Sequence, residues 1–298
     1  MDAWTSALCQ FSKLRIMTRL VRTAAGIGRV LGDNTVGESV EIFTTEHGDL
    51  AALFADGSVS SADAPTLQVV SLADVEPLRP VVDPKHVVIV GLNYHAHAAE
   101  VGLEAPSSPM FAVCDGGPNI VTEWNHDIVL PADAPTKVDY ECELGLIVGT
   151  GGRDIAAADA WAHVGGLLVI NDVSARDVQD AARANRTPNL GLAKTSLTFK
   201  PAGSIVYTPD EFNVDGLDMV LTTKVNGEQR QRGSLDDLVF GVPEIIEAVS
   251  ARVELEPGDL ICTGTPGGVG LATGVFLKAG DVVEITIERL GTIRNTVR

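Results

Sequence analysis

Cysteine is scarce and scattered in this chain. Cys9, Cys114, Cys142 and Cys262 form no CxxC pair, so neither a zinc site nor a disulfide framework is expected, and a reducing cytoplasm is the expected compartment. Cations are also few, with 22 Lys and Arg against 40 Asp and Glu, a formal net charge of −18. No basic run offsets that charge, which argues against a nucleic-acid backbone as partner. An anionic substrate would need local help, from a metal or from a few placed Lys and Arg. Long apolar runs are missing too. VVIVGL (87–92) and GGLLVIN (165–171) fall far short of the roughly 20 residues of a membrane span. No apolar segment follows Lys13, Arg15, Arg19 and Arg22, so no secretory signal is expected. Fixed-period repeats and low-complexity tracts are absent, which excludes solenoids and arrays.

What is there reads as a strand-rich protein in two parts. Residues 1–16 (MDAWTSALCQFSKLRI) do not share the periodicity that begins after Met17 and read as an upstream extension. From 17 to 80, LVRT, GRVLG, VEIFTT and DLAALF read as short strands of a small β-rich domain. LRPVVDPKH (78–86), with two prolines, marks the boundary, and 85–298 forms the larger domain. There VVIVGLNY predicts a buried strand, HAHAAEVG a short helix ended by Gly102, and DIAAADAWAHVGG a helix with Asp154 as N-cap. ARDVQDAARAN and a segment from Pro243 predict further helices, and Asn226-Gly227 a hairpin. The fold class is mixed α/β and strand-dominated, a rolled β-sandwich rather than a doubly wound sheet.

VDYECELGLIVG (138–149) raises the chemical question. Apolar residues flank two glutamates at alternate positions, so Glu141 and Glu143 share one face of a strand with Cα atoms roughly 6.5 Å apart. Two converging carboxylates repel, and burial would force one to hold a proton unless a cation joins them. A solvated edge-strand face is the alternative. Asp172 follows the apolar strand GGLLVIN. By itself it reads as a cap or turn former. Together with Glu141 and Glu143 it completes an oxygen-only set suited to Mg²⁺, Mn²⁺ or Ca²⁺.

An ordered series of segments then carries a resemblance: VGLNYHAHAAEVG, DYECELGLIVG, INDVSARDVQD, LAKTSLTF, KVNGEQRQ, LEPGDLICTGTPGGVG and AGDVVEITIERLGTIRNTV. From about residue 85 to the end, the chain resembles the fumarylacetoacetate hydrolase family, in its acylpyruvase, oxaloacetate decarboxylase and 2-hydroxyhepta-2,4-diene-1,7-dioate isomerase-like branch. The resemblance implies a mixed β-sandwich roll, a homodimer, and action on a small anionic keto acid. It implies Mg²⁺ or Mn²⁺ on Glu141, Glu143 and Asp172, with Ca²⁺ able to stand in. It places a catalytic dyad on His97 and Glu100, at the i and i+3 spacing that meets on one helix face, with His95 as a decoy lacking an acid at i+3. Lys194 is implied as an oxyanion-facing catalytic lysine. Thr265, Arg176 and Gln179 are implied as substrate contacts, although Arg176 reads equally as a structural ion-pair partner. The implied reaction is metal-dependent hydrolysis of a carbon–carbon bond in an acylpyruvate by water activated at His97. Decarboxylation of oxaloacetate and keto-acid isomerisation or tautomerisation are the alternatives, and a non-catalytic metal-stabilised binding protein stands behind them. Three departures leave the substrate open: Phe111-Ala112-Val113-Cys114 lacks the family's F-x-K-P lysine, Thr195-Ser196-Leu197-Thr198-Phe199 replaces S-F-D-T-F, and Thr187-Pro188-Asn189 stands where Trp or Gln is common.

Overall fold

Asn226 and Gly227 both take left-handed backbone, with φ of 53° and 80°, and turn the strand Val220–Val225 back on Glu228–Ser234. Such a two-residue turn matches the twist of the paired strands, as the Asn-Gly pair predicts. Val282–Ile287 pairs with the first of these strands and Gly291–Thr296 with the third, completing a four-stranded antiparallel sheet. The computed structural model describes residues 19–32, 38–44, 46–57, 66–185 and 191–298. The expected extension at 1–16 and the Thr187-Pro188-Asn189 departure lie outside the described residues.

Among the described residues, ten strands form a second, larger sheet. Their order is Gln68–Ser71, Ser39–Thr44, Gly26–Leu31, Arg19–Thr23, Ile205–Tyr207, Val164–Asn171, Cys142–Val148, Leu260–Cys262, His86–Gly91 and Met110–Asp115. The pairing of Leu260–Cys262 with His86–Gly91 is parallel and its pairing with Cys142–Val148 antiparallel, so the sheet is mixed. The four N-terminal strands continue this sheet through Arg19–Thr23 on Ile205–Tyr207. The fold is mixed α/β and strand-dominated.

Alternation decides what each face of the central strand meets. Leu144, Leu146 and Val148 point into one core with Val283, Ile285 and Ile287 of the four-stranded sheet and Ile245, Ile246 and Val249 of the helix Val242–Ser250. Ile147 points the other way, into a core with Leu168, Ile170, Leu260 and the helix residues Leu50, Leu53 and Phe54. Glu143 lies on this second face, as does Asp172 beyond Ile170. At the end of the antiparallel pairing of Cys142–Val148 with Val164–Asn171, Gly149 and Gly165 approach so closely that a Cβ on Gly149 would stand 2.6 Å from the Gly165 Cα.

Three local expectations are corrected. DLAALF is not a strand: Leu50–Ala55 is a helix whose N-cap, Asp49, accepts from Ala52 N at 3.1 Å. Its Leu50, Leu53 and Phe54 fall on one helical face and are buried, a pattern a strand would split between two faces. Asp154 is not an N-cap. It takes φ 53°, and the helical turns run as a 3₁₀ segment Ala157–His163 behind Ala156. The 138–149 strand is interrupted: Val138–Asp139 pairs with Ser174–Ala175, and the central strand restarts at Cys142.

Candidate active site and metal centre

Glu141 occupies that interruption. Its main chain is tied across to the neighbouring strand end, where its N–H donates to Asn171 Oδ1 at 3.1 Å and its carbonyl accepts from Asp172 N at 2.9 Å. The two strand ends bring Glu141, Glu143 and Asp172 into one buried cluster, but among the described residues the carboxylate and thiol atoms close enough to share an ion are those of Glu143, Asp172 and Cys262, without Glu141. Burial of three carboxylates requires compensation: Glu141 and Asp172 receive it from buried cations, Glu143 from a main-chain N–H.

Glu141 is compensated by cations. Arg176 Nη2 donates to its Oε1 at 2.5 Å, and Lys194 Nζ donates to its Oε2. Burial pushes this carboxyl up, but Lys194 and Arg176 outweigh it and hold the group down to about 2. Lys194 Nζ also donates to Asp172 Oδ2 at 2.5 Å. Burial disfavours the Lys194 ammonium, yet Asp172 and Glu141 raise its pKa above the ordinary lysine value. Arg176 further reaches Asp139 Oδ2 at 2.8 Å and Gln179 Oε1 at 3.1 Å. Asp139 in turn accepts from Gly270 N and Leu271 N. Arg176 thus pairs with Asp139 and Glu141 through Nε and Nη2, and its Nη1 donates to the Gln179 carbonyl oxygen.

Glu143 is compensated only in part. Its Oε2 accepts from Gly264 N at 2.7 Å, while its Oε1 is buried with no hydrogen-bond partner. Burial and the neighbouring Asp172 push its carboxyl well above the usual carboxylate range. Gly264 approaches it in a left-handed conformation, φ 103°, with a Cβ position only 2.8 Å from Asn93 Cβ, so a side chain here would both strain the backbone and clash. Ligand atoms of Glu143, Asp172 and Cys262 all lie within 4.8 Å of one another. An orphaned buried carboxylate oxygen beside a second carboxylate fits a hard divalent cation. The Cys262 thiol is pushed well above its ordinary value by burial, Asp172 and Glu143, and so stays protonated, a poor ligand for such an ion.

The two residues of the expected dyad, His97 and Glu100, sit on the helix His95–Glu100, which follows the strand His86–Gly91. His97 is buried and His95 exposed. His97 Nδ1 lies 3.6 Å from Glu100 Oε2 and has no hydrogen-bond partner. Glu100 is aimed by Gly268 N, which donates to both its oxygens at 2.9 and 3.0 Å. His97 is also close enough to Glu141 to favour its ionised form. Thr265, in the same glycine-rich loop as Gly268, donates its hydroxyl to Cys142 O at 3.0 Å and accepts from Gln231 Nε2 at 2.8 Å.

Three buried residues here carry no expectation from the sequence. Gln231 uses its whole amide: Oε1 accepts from Cys142 N and Thr223 Oγ1, and Nε2 donates to Thr265 Oγ1 and Pro266 O. It braces the glycine-rich loop against the central strand, and its place in KVNGEQRQ is the one signal that points to it. Cys262 arrives through strand pairing alone. Lys200 lies behind Asp172, with Nζ 2.7 Å from Oδ1.

With this geometry in view, residues 86–298 match the family described as fumarylacetoacetate (FAA) hydrolase C-terminal. The chain belongs to the fumarylacetoacetate hydrolase family. "Oxaloacetate tautomerase YisK" of Bacillus subtilis is 36% identical over 238 residues, 76% of this chain and 74% of that protein. Among solved structures, a putative HpcE protein from Mycobacterium smegmatis is similar with TM-score 0.80 and 31% identity, covering 94% of this chain and 98% of that one. Fumarylpyruvate hydrolase from Pseudomonas aeruginosa, in complex with Mn²⁺ and pyruvate, is similar with TM-score 0.64 and 30% identity, covering 74% and 91%.

Proposed function

We propose that this family member is a divalent-metal-dependent proton-transfer enzyme acting on a small 2-oxo acid, with keto–enol tautomerisation of oxaloacetate as the first assignment. The observation that carries this reading is His97. It is a buried imidazole with an unbonded Nδ1, aimed at Glu100 and set beside the carboxylate cluster. Tautomerisation needs one group that takes a proton from carbon and returns it to oxygen, and a single oriented imidazole suffices. The Glu100 carboxylate, 3.6 Å from Nδ1, favours a proton on that nitrogen and would fix the tautomer on closing to a hydrogen bond, leaving Nε2 to carry the proton to and from the substrate. The Gly268 N–H holds Glu100, and Arg176 with Lys194 keeps Glu141 ionised. Glu141, Glu143 and Asp172 would hold Mg²⁺ or Mn²⁺, and the chemistry such an ion supplies is Lewis-acid polarisation of a keto oxygen. The tautomerase name of the 36% identical relative supports the assignment.

Hydrolysis of an acylpyruvate is the second reading, in which the same imidazole activates water. The likeness to fumarylpyruvate hydrolase favours it. The two separate in one assay. Purified protein with Mg²⁺ receives freshly dissolved enol oxaloacetate, and enol absorbance is followed beside coupled detection of pyruvate. The tautomerase reading expects accelerated enol loss without matching pyruvate, and a drop of roughly 10² to 10⁴-fold in His97→Ala. Pyruvate appearing in step with enol loss would assign decarboxylation instead. Enol loss at the uncatalysed rate, with cleavage of an acylpyruvate, would restore the hydrolase.

A further inference from the structure

Lys200 has no exposed surface, and none of the motifs above assigns it a role. Its main chain is fixed by a two-residue parallel pairing, Lys200–Pro201 on Val121–Thr122. Its Nζ stands 2.7 Å from Asp172 Oδ1 and donates to the carbonyls of Lys194 and, at 3.3 Å, Phe199. An ammonium has three N–H donors, and three oxygens surround this one. Lys200 therefore cannot reach a substrate and acts only through Asp172 and the turn that carries Lys194. The Asp172 contact is an ion pair by distance with no donor aligned on Oδ1, so it transmits charge more than direction.

That charge decides the sign of the site. Asp139, Glu141 and Asp172 pair with Arg176, Lys194 and Lys200, and Glu143 beside Asp172 adds a fourth carboxylate once a bound cation displaces its proton, giving four carboxylates against three cations. A divalent cation turns this deficit into one net positive charge. Without Lys200 the same cation would bring the cluster only to neutrality, leaving no net attraction for a keto-acid anion.

We propose that Lys200 is a positioning residue that sets the charge of this site: it moderates cation binding at Asp172 so that the loaded site stays net positive for an anionic 2-oxo acid, and it anchors the Lys194 turn. The proposal rests on the metal-dependent reading above.

The test compares the whole protein with Lys200→Met and Lys200→Gln. Mn²⁺ affinity is read by electron paramagnetic resonance of the free ion, without turnover, and KM and kcat are read on oxaloacetate. Removing the unit charge that stands 2.7 Å from Asp172 Oδ1 tightens Mn²⁺ binding by roughly tenfold or more, while KM rises by a similar factor. Gln keeps a donor for the Lys194 carbonyl, so its kcat lies closer to the parent's than that of Met. The opposite directions of Kd and KM are the signature, since damaged packing weakens both together. Either variant that is soluble and folded by near-ultraviolet circular dichroism decides the matter. Weaker or unchanged Mn²⁺ binding in that variant overturns the role of Lys200 and leaves the metal reading standing. A parent protein that binds no Mn²⁺ overturns both.

Discussion

Replacing Lys194 with Met removes one charge and keeps most of the stem's bulk. In the fold, Lys194 is buried and its Nζ joins Glu141 Oε2 to Asp172 Oδ2. After the change Glu141 faces only Arg176 and Asp172 only Lys200. Removing one partner from a buried ion pair costs about 3–5 kcal/mol, because the remaining charge loses its compensation. At an unfolding entropy of about 2.1 cal/mol/K per residue, the 298-residue chain converts this to a fall in Tm of about 5–8 °C. The assay is calorimetry of metal-free protein, repeated with saturating Mg²⁺. Mg²⁺ should recover more stability in the variant than in the parent, since it meets carboxylates the lysine no longer neutralises. Activity should also fall, by roughly 10² in kcat if the remaining N–H serves the developing oxyanion. A folded, metal-free variant melting within about 1 °C of the parent would show that Nζ does not carry these carboxylates, and the charge balance drawn for the site would be wrong.

Glu143 sets a pH dependence of definite sign. Burial and Asp172 raise its carboxyl well above the ordinary value, so the proton favours the metal-free fold at low pH and that contribution is lost as pH rises through the folded value. Mg²⁺ binding should release a proton and strengthen with pH over that window, as calorimetry in buffers of different ionisation enthalpy would show; pH-independent affinity would refute it. Glu141 has the opposite sign. Its carboxyl, held down to about 2 from an ordinary 4.5, contributes stability that is present above 4.5 and lost as pH falls toward 2, and Glu141→Gln should flatten that limb of the acid unfolding curve. Cys262→Ser should leave Mg²⁺ affinity within roughly threefold, because a protonated thiol is not a ligand for a hard ion; a loss of roughly a hundredfold would place Cys262 in the ligand set.

What could be read from the sequence and what could not divide along a physical line. Glu143 was legible because alternation along Cys142–Val148 is local, whereas Glu141 lies in the interruption before that strand and is held by main-chain bonds to Asn171 and Asp172 rather than by alternation. The Asn226-Gly227 turn, equally local, was legible too. DLAALF was misread because six apolar-rich residues fit either period, although Asp49, three residues before the amide it caps, was a usable helix signal. His97 was separable from His95 by the acid at i+3, and their burial follows the same division. The cations that neutralise the site were the hard part. Lys194 and Arg176 came into view only through family motifs, and Lys200 not at all, since its place behind Asp172 depends on a two-residue pairing with Val121–Thr122. Cys262 likewise reaches Glu143 because its strand pairs with both Gly145 and Ile89. The spacing of Glu141 and Glu143 is a property of one short segment, whereas the balance of charge around the carboxylates is summed over strands, loops and a helix far apart in sequence. A carboxylate count alone therefore gives this site the wrong sign for an anionic substrate, and the sign turns positive only when Arg176, Lys194 and Lys200 are all counted with the ion.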